Sequence, residues 1–493
     1  MNGVMLNKLT ILEATTGLKE KKFSSTELVE SHIKAIEKHE PLNAFITKTF
    51  DTARERAGES DKRFLNGEAR KLEGIPVAIK DIYCTKGVKT TCASKVLENF
   101  IPPYESTVTG KLFDSGAVML GKTNMDEFAM GSTSTYSHYG AVINPWKETG
   151  SGENLIAGGS SGGSAVAVAA RMSMGAFGTD TGGSIRQPAG CCGIVGFKPS
   201  YGRCSRYGTI AFASSLDQAG PFGRTVSDTA LLSESIMGYD EKDSTCANIP
   251  VPDLFAAMEK GLKGIKIGIP KEYDMEGLDP EIKKLWKDAE HALAKEGAEI
   301  VQVSLPNTKY GVASYYVIAP AEASSNLARF DGVRYGFREH KAGMTLDEMY
   351  EATRGAGFGP EVERRLIIGT HVLSAESYDV YFAHAQKVRR LMVNDFKMAF
   401  EKVDALLTPV TSCPAFAIND KSRMDPVAMY FNDVFTIPTS MAGLPGISIP
   451  GRLTAKGLPI NLQVIGNRFD EEMVFRVARN LERCFDFNEA PLT

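Results

Sequence analysis

The sequence predicts an α/β protein with a layered α/β/α architecture around one central mixed β-sheet. Short apolar segments of strand length alternate with amphipathic helical patterns along the 493 residues, as in a sheet covered by helices on both faces. No internal repeat divides the chain, and no linker rich in glycine, serine or proline does so. We therefore predict a single domain over residues 1–493, with a surface excursion at about 238–280.

The N-terminal part predicts two helices. Ser24 and Glu27 have the spacing of a capping box, so we expect a helix from this point to about Glu37, before Pro41. The charged stretch 52–71 then predicts an exposed helix and loop.

Residues 72–81 (LEGIPVAIKD) are apolar at successive positions, which predicts a strand buried on both faces with Lys80 at its end. We predict further buried strands at 117–121, 265–269, 405–408, 446–449 and 460–465. Apolar residues at every fourth position predict a C-terminal helix: Met473, Val477, Leu481 and Phe485.

Composition disfavours several classes of protein. A net charge of −4 and a pI near 6.1 argue against a chain that binds nucleic acid alone. No apolar run reaches the roughly 18 residues of a membrane span, and the N-terminus resembles neither a signal peptide nor a transit peptide. We expect a cytoplasmic protein without membrane contact. The eight cysteines lack metal-ligand spacing, so no metal site is predicted, and Cys191 and Cys192 are interpreted as small buried residues.

Residues 158–193 (GGSSGGSAVAVAARMSMGAFGTDTGGSIRQPAGCCG) contain two glycine-serine turns around a short apolar segment. The first turn alone fits a flexible linker as well as a site, but a linker does not recur inside a packed core. The same turn matches G-x-S-x-G, although a poor strand precedes it. It lacks the G-K-[ST] ending of a phosphate loop. Ser31 to Lys34 matches S-x-x-K without the accompanying motifs.

This stretch, together with the lysine strand, resembles the amidase-signature family. The resemblance places the signature core at about 72–230 and implies three catalytic residues. These are Ser184 as the acyl-ester nucleophile, Ser160 as a relay that follows a cis peptide in relatives, and Lys80 as the general base. Ser161 and Ser164 are expected to support the loop.

The chemistry accounts for these residue types. A serine hydroxyl is a weak nucleophile until a base takes its proton, and lysine acts as a base only when neutral. Burial at the end of an apolar strand lowers a lysine pKa. Thr181, Gly182 and Gly183 offer backbone N–H groups with little side-chain bulk, as an oxyanion hole requires.

The resemblance narrows to the glutaminase (A) subunits of the glutamyl-tRNA(Gln)/aspartyl-tRNA(Asn) amidotransferases. It extends through 122–134, 198–226, 321–336 and 442–450. It implies glutamine hydrolysis that supplies ammonia for ATP-dependent transamidation of Glu-tRNA(Gln), with Asp-tRNA(Asn) as an alternative acceptor, and it implies partner B and C subunits. ATP and Mg²⁺ would be used by the B subunit, which would also contact the tRNA, and no cofactor is expected in this chain.

A free glutamine substrate needs a cation for its carboxylate and an anion for its ammonium group. By resemblance these are Arg365 and Asp433, assisted by Tyr316, while Arg364 and Tyr315 remain alternatives. Two other functions stay open: a stand-alone amidase for another small amide, and a catalytically silent assembly subunit.

Overall fold

One mixed sheet runs through the computed structural model, which describes residues 5–491 apart from the side chains of Pro426 and Val427. Within this part of the chain the sheet has 11 strands, which confirms the predicted fold class. The strands are β1 Phe45–Lys48, β2 Pro76–Lys80, β3 Val118–Thr123, β4 Gly175–Asp180, β5 Val195–Lys198, β6 Gln218–Gly223, β7 Lys266–Pro270, β8 Glu299–Val303, β9 Ala405–Pro409, β10 Gly446–Leu453 and β11 Pro459–Gly466.

The helices alternate with the strands along the chain. They are α1 Ile11–Lys19, α2 Ser25–Lys38, α3 Phe50–Asn66, α4 Thr107–Asp114, α5 Gly162–Ala169, α6 Arg186–Cys192, α7 Val226–Ile236, α8 Leu254–Met258, α9 Pro280–Lys295, α10 Gly311–Asn326, α11 Leu346–Gly357, α12 Pro360–Val372, α13 His384–Phe400, α14 Pro426–Tyr430, α15 Ile437–Met441 and α16 Glu471–Phe485. None of the helices described is long and apolar enough to cross a membrane.

The strand order is β1-β3-β2-β4-β6-β5-β10-β11-β9-β7-β8. Strands β2 and β4 are parallel neighbours, with Ile79 opposite Phe177, while β4 pairs antiparallel with β6. Because β2 and β4 run in the same direction, their carboxyl ends lie at one edge of the sheet. Lys80 and the turn that follows Asp180 are thereby brought to the same edge.

Both faces of the sheet are buried. Val77 and Ile79 of β2 belong to one hydrophobic cluster, and Ala78 between them belongs to another. Since successive side chains of a strand point to opposite faces, the two clusters lie on opposite sides. This explains why β2 is apolar at every position rather than at every second one.

The predicted N-terminal helix start is confirmed. The Ser24 side chain accepts from the Glu27 N–H, and the Glu27 side chain accepts from the Ser24 N–H. The charged stretch 52–71 overlaps α3, which begins two residues earlier at Phe50, and the C-terminal pattern forms α16.

All six predicted strands are present, but five others were not predicted: β1, β4, β5, β6 and β8. Strands β4 (GAFGTD) and β6 (QAGPFG) are rich in glycine, which has low strand propensity, so their formation depends on tertiary packing. The segment 238–280, expected as a surface excursion, includes β7 inside the sheet, and Leu254 and Leu262 within it are buried.

Candidate active site

Lys80 is the last residue of β2 and is completely buried. Its amine nitrogen lies 2.8 Å from the Ser160 hydroxyl, 2.8 Å from the Ser161 hydroxyl and 2.9 Å from the Thr179 hydroxyl. Ser160 was expected beside the lysine. Ser161 was expected only to support the loop, and Thr179 was not singled out, so the structure surrounds the amine with three hydroxyl groups rather than one.

Burial lowers the pKa of Lys80 to about 7, although the carboxylates of Asp126, Asp217 and Asp180 act in the opposite direction. Removal from water disfavours the ammonium form because a charge is poorly solvated there. A substantial fraction of this lysine is therefore a neutral amine near neutral pH.

Proton positions around the neutral amine follow from the hydrogen bonds. A neutral amine donates two hydrogen bonds and accepts one, so one of the three hydroxyls must donate to it. The Ser161 hydroxyl already donates to the Thr179 carbonyl, at 3.2 Å, and so accepts from Lys80. The lone pair of the Lys80 nitrogen therefore accepts a hydrogen bond from the hydroxyl of Ser160 or from that of Thr179.

The first glycine-serine turn is held by Asp126. The peptide between Gly159 and Ser160 is cis, and the Asp126 N–H donates to the Ser160 carbonyl at 3.2 Å. The Asp126 carboxylate accepts from the N–H groups of Ser134 and Tyr136. A Cβ at position 159 would lie 2.2 Å from the Asp126 Oδ2, so only glycine fits at this point.

The second turn carries Ser184 and joins β4 to α6. Ser184 is 6% exposed. Among the described residues, none accepts a hydrogen bond from the backbone N–H groups of Thr181, Gly182 or Gly183. The turn is anchored elsewhere, because the Thr181 hydroxyl donates to Asp217 at 2.6 Å and the Thr436 hydroxyl donates to the Gly182 carbonyl at 2.7 Å. The three N–H groups thus have no acceptor within the described residues, as an oxyanion hole requires.

The start of α6 is fixed by a buried ion pair. Arg186 is completely buried, and its Nη2 lies 2.9 Å from the Oδ1 of Asp180. Asp180 also accepts from the Ile185 N–H at 3.3 Å. This pair brackets Ser184 and limits the conformations open to the turn.

Arg365 and Arg364 occupy different environments. The Arg365 side chain is 4% exposed and its Nε donates to Glu361 at 2.8 Å, whereas Arg364 is 40% exposed and pairs with the same carboxylate. The Arg365 guanidinium lies 5.1 to 5.7 Å from the ring centres of Phe212, Tyr316 and Tyr430. Between the two arginines, the buried aromatic surroundings favour Arg365 as a recognition group.

Tyr315 and Tyr316 both lie at the site but contact different parts of it. The Tyr316 ring stacks on Tyr430 with 3.7 Å between centres, beside Arg365. The Tyr315 ring packs against the second turn, where a Cβ at Gly182 would lie 2.8 Å from it. Tyr316 is therefore placed with the recognition group and Tyr315 with the catalytic turn.

Asp433 is buried, and its Oδ1 has no hydrogen-bond partner among the described residues. A Cβ at Gly183 would lie 3.1 Å from this oxygen, so the carboxylate adjoins the turn that carries Ser184. Burial raises the pKa of Asp433 well above its usual value, while Arg365 lowers it. A cationic donor placed here would satisfy an oxygen that is otherwise unpaired.

Within residues 5–491, no group of histidine, cysteine and carboxylate side chains has the arrangement of a metal site. All eight cysteines are free thiols, and Cys191 and Cys192 are buried as expected.

Comparison with known proteins gives matches over nearly the whole chain. The amidase family model matches residues 27–475. The chain is 57% identical to the A subunit of glutamyl-tRNA(Gln) amidotransferase from Xanthobacter autotrophicus, over 97% of both chains. It is 55% identical to the protein of the same name from Rickettsia bellii, also over 97% of both. The crystal structure of the corresponding protein from Thermotoga maritima matches with a TM-score of 0.81 and 40% identity, covering 99% of this chain and 97% of that one.

Proposed function

The chain belongs to the amidase family, and on that basis we propose that it is the glutamine-hydrolysing subunit of a tRNA-dependent amidotransferase. The observation that carries the proposal is the pairing of two sites at one edge of the sheet. A lysine of lowered pKa lies among hydroxyl groups at the end of β2. The buried Asp433 carboxyl adjoins the Ser184 turn, and the buried Arg365 guanidinium lies beside Tyr316. The amidotransferase relatives named above support the assignment.

We assign the attack on the substrate amide to the Ser184 hydroxyl. As its oxygen bonds to the amide carbon, its proton passes to Ser160, and the proton of Ser160 passes to the neutral amine of Lys80. The backbone N–H groups of Thr181, Gly182 and Gly183 bind the developing oxyanion. Of the two hydroxyls that are able to donate to Lys80, Ser160 takes the relay role in this scheme.

Breakdown of the tetrahedral intermediate releases ammonia. The leaving nitrogen takes a proton from the Lys80 ammonium through Ser160, and the glutamyl group remains as an ester on Ser184. Water then attacks the ester, and the same groups take its proton and return one to Ser184. The scheme uses side chains and backbone groups of this chain throughout.

Substrate choice follows from the charged pair. Arg365 binds the α-carboxylate of glutamine, Asp433 binds its ammonium group, and Tyr316 packs beside the arginine. Arg365 keeps its Glu361 partner whichever amide binds, but an apolar amide would leave the buried Asp433 Oδ1 without a donor, which is costly. This disfavours a stand-alone amidase for fatty or aryl amides, and the intact catalytic residues disfavour a silent scaffold.

The ammonia would be used by a partner. We propose that a B subunit uses ATP and Mg²⁺ to activate and amidate Glu-tRNA(Gln). That subunit would also provide the main contact with the tRNA, because the net charge of −4 disfavours direct tRNA binding by this chain. A C subunit would complete the complex, and the cytoplasm, where tRNA is charged, would be its location.

The proposal is tested by ammonia release. The full chain, alone and co-purified with the B and C subunits, would be assayed with glutamine and with an uncharged aliphatic amide. We expect a higher kcat/KM for glutamine and glutamine-dependent amidation of Glu-tRNA(Gln) by the complex. A preference for the uncharged amide would refute the assignment.

A further inference from the structure

Asp217 lies immediately before β6 and outside the set of residues that the sequence singled out. It is buried, and its two oxygens accept from two different segments. Oδ1 accepts from the Thr181 hydroxyl at 2.6 Å, and Oδ2 accepts from the N–H groups of Phe212 and Ala213 at 2.9 and 3.0 Å. The carboxylate therefore joins two parts of the chain.

The first of these parts is the catalytic turn. Thr181 begins the turn that ends at Ser184, and its bond to Asp217 is the one hydrogen bond that its side chain makes to a described residue. This bond holds the start of the turn, and the bond from the Thr436 hydroxyl to the Gly182 carbonyl holds the next peptide. These are the peptides assigned to the oxyanion.

The second part supports substrate recognition. The Phe212 ring lies 5.7 Å from the Arg365 guanidinium, and the Phe212 carbonyl accepts from Asn326 at 3.1 Å. The Phe212 N–H donates to Asp217, so the carboxylate helps to hold the backbone that carries this ring. One side chain is thus connected to both the oxyanion turn and the platform of Arg365.

The number of donors explains why this residue is a carboxylate. The Thr181 hydroxyl donates to one carboxylate oxygen, and the N–H groups of Phe212 and Ala213 donate to the other. An asparagine has one acceptor oxygen and would turn an NH₂ group toward one of the two segments. Asp217 makes no ion pair within the described residues, so these hydrogen bonds are its direct polar contacts, and its charge also opposes the lowering of the Lys80 pKa.

We propose that Asp217 is a positioning residue that holds the oxyanion turn and the Phe212 platform under Arg365 in one arrangement. The proposal rests on the glutaminase function given above. It predicts that breaking the Thr181 bond lowers kcat, whereas changing Asp217 itself lowers kcat and also weakens glutamine binding.

The test compares four single variants of the full chain and the double variant Thr181→Val, Asp217→Asn. Thr181→Val removes the hydroxyl with little change in shape, and Thr181→Ser keeps it. Asp217→Asn replaces one acceptor oxygen by an NH₂ group, so one of the two segments loses its hydrogen-bond acceptor. Asp228→Asn is the matched control, because Asp228 is also buried and accepts from two backbone N–H groups, those of Ile11 and Leu12 on α1. Melting temperature, kcat and KM would be measured with glutamine and with an uncharged aliphatic amide.

We expect Thr181→Val to lower kcat about tenfold or more on both substrates, since hydrogen bonds to charged groups are strong, while Thr181→Ser stays near wild type. Asp217→Asn should lower kcat on both substrates and raise KM for glutamine only. The double variant should be no slower than Asp217→Asn. Asp228→Asn should change the melting temperature alone.

Wild-type kcat in Thr181→Val, or an equal loss of kcat in Asp228→Asn, would overturn the inference. If Asp217→Asn does not fold, the Thr181 pair decides the question. If the wild type hydrolyses the uncharged amide but not glutamine, the proposed function fails, and the kcat comparison on that amide still tests Asp217.

Discussion

The Lys80 amine lies as close to the Ser161 hydroxyl as to the Ser160 hydroxyl, at 2.8 Å from each. The two serines differ in where their protons point. Ser161 donates to the Thr179 carbonyl, whereas the Ser160 hydroxyl has no other hydrogen-bond partner among the described residues. One contact thus orients the lysine, and the other is able to carry a proton.

This difference predicts unequal effects of two alanine substitutions. Ser160→Ala should reduce kcat for glutamine at least about a hundredfold, in the usual range for loss of a proton-transfer group. Ser161→Ala should reduce it only about tenfold, because it removes one hydrogen bond that orients Lys80. Steady-state ammonia release measures both. Equal losses in the two variants would contradict the relay assignment.

Ser184→Ala should abolish glutamine hydrolysis, since no acyl ester forms without the hydroxyl. Amidation of Glu-tRNA(Gln) by the complex supplied with ammonium salt should persist, because that step does not use this residue. Both activities would be followed on one preparation. Loss of the ammonia-supported reaction as well would argue against a separate amidation site.

Lys80 and Ser160 should act as one unit with Ser184. The double variant Lys80→Ala, Ser160→Ala should be about as slow as the slower single variant, because either change interrupts the same proton path. Measurement of residual ammonia release in all three variants checks this. If the loss of rate in the double variant equals the product of the losses in the two single variants, the two residues act independently.

Activity should rise with pH through the Lys80 pKa of about 7. The folded-state pKa is lowered, so below it the lysine is an ammonium that cannot take a proton, and above it the base is free. Lys80→Arg, which stays protonated, should be inactive across this range. If the residual activity of Lys80→Ala falls at low pH as the wild-type activity does, the titration belongs to another group.

Arg365→Ala should lower kcat/KM for glutamine roughly 30-fold or more, since a desolvated charge contact contributes about 2 to 5 kcal/mol. Arg364→Ala, a matched change on the same helix with the same Glu361 partner, should have a much smaller effect because the Arg364 side chain is 40% exposed, whereas that of Arg365 is buried. Hydrolysis of an uncharged amide serves as the control for folding. A larger effect at Arg364 would reverse the assignment.

Asp433→Asn should also weaken glutamine recognition by roughly 30-fold in kcat/KM, since the amide cannot neutralise the substrate ammonium. The reaction with an uncharged amide should be spared. Comparison of the two substrates on one variant separates recognition from chemistry. Normal hydrolysis of glutamine by this variant would place the ammonium group elsewhere.

The sequence was most informative where chemistry and local pattern coincide. The apolar run of β2 predicted a strand with Lys80 at its end, and the structure confirms both. Thr179 and Asp217 were not predicted, because their contacts depend on strand pairing. Thr179 is 99 residues from Lys80, and a threonine within a glycine-rich strand gives no local signal of its partner.

The parallel pairing of β2 with β4 also determines which changes in chain length the site tolerates. The register of β2 and β4 places Lys80 and the start of the Ser184 turn at one edge of the sheet, so the residues between those strands contribute through the loops they close rather than through their number. Additions in the exposed loops of that interval leave the register intact. One residue inserted within the five-residue strand β2 would instead turn the lysine to the opposite face of the sheet.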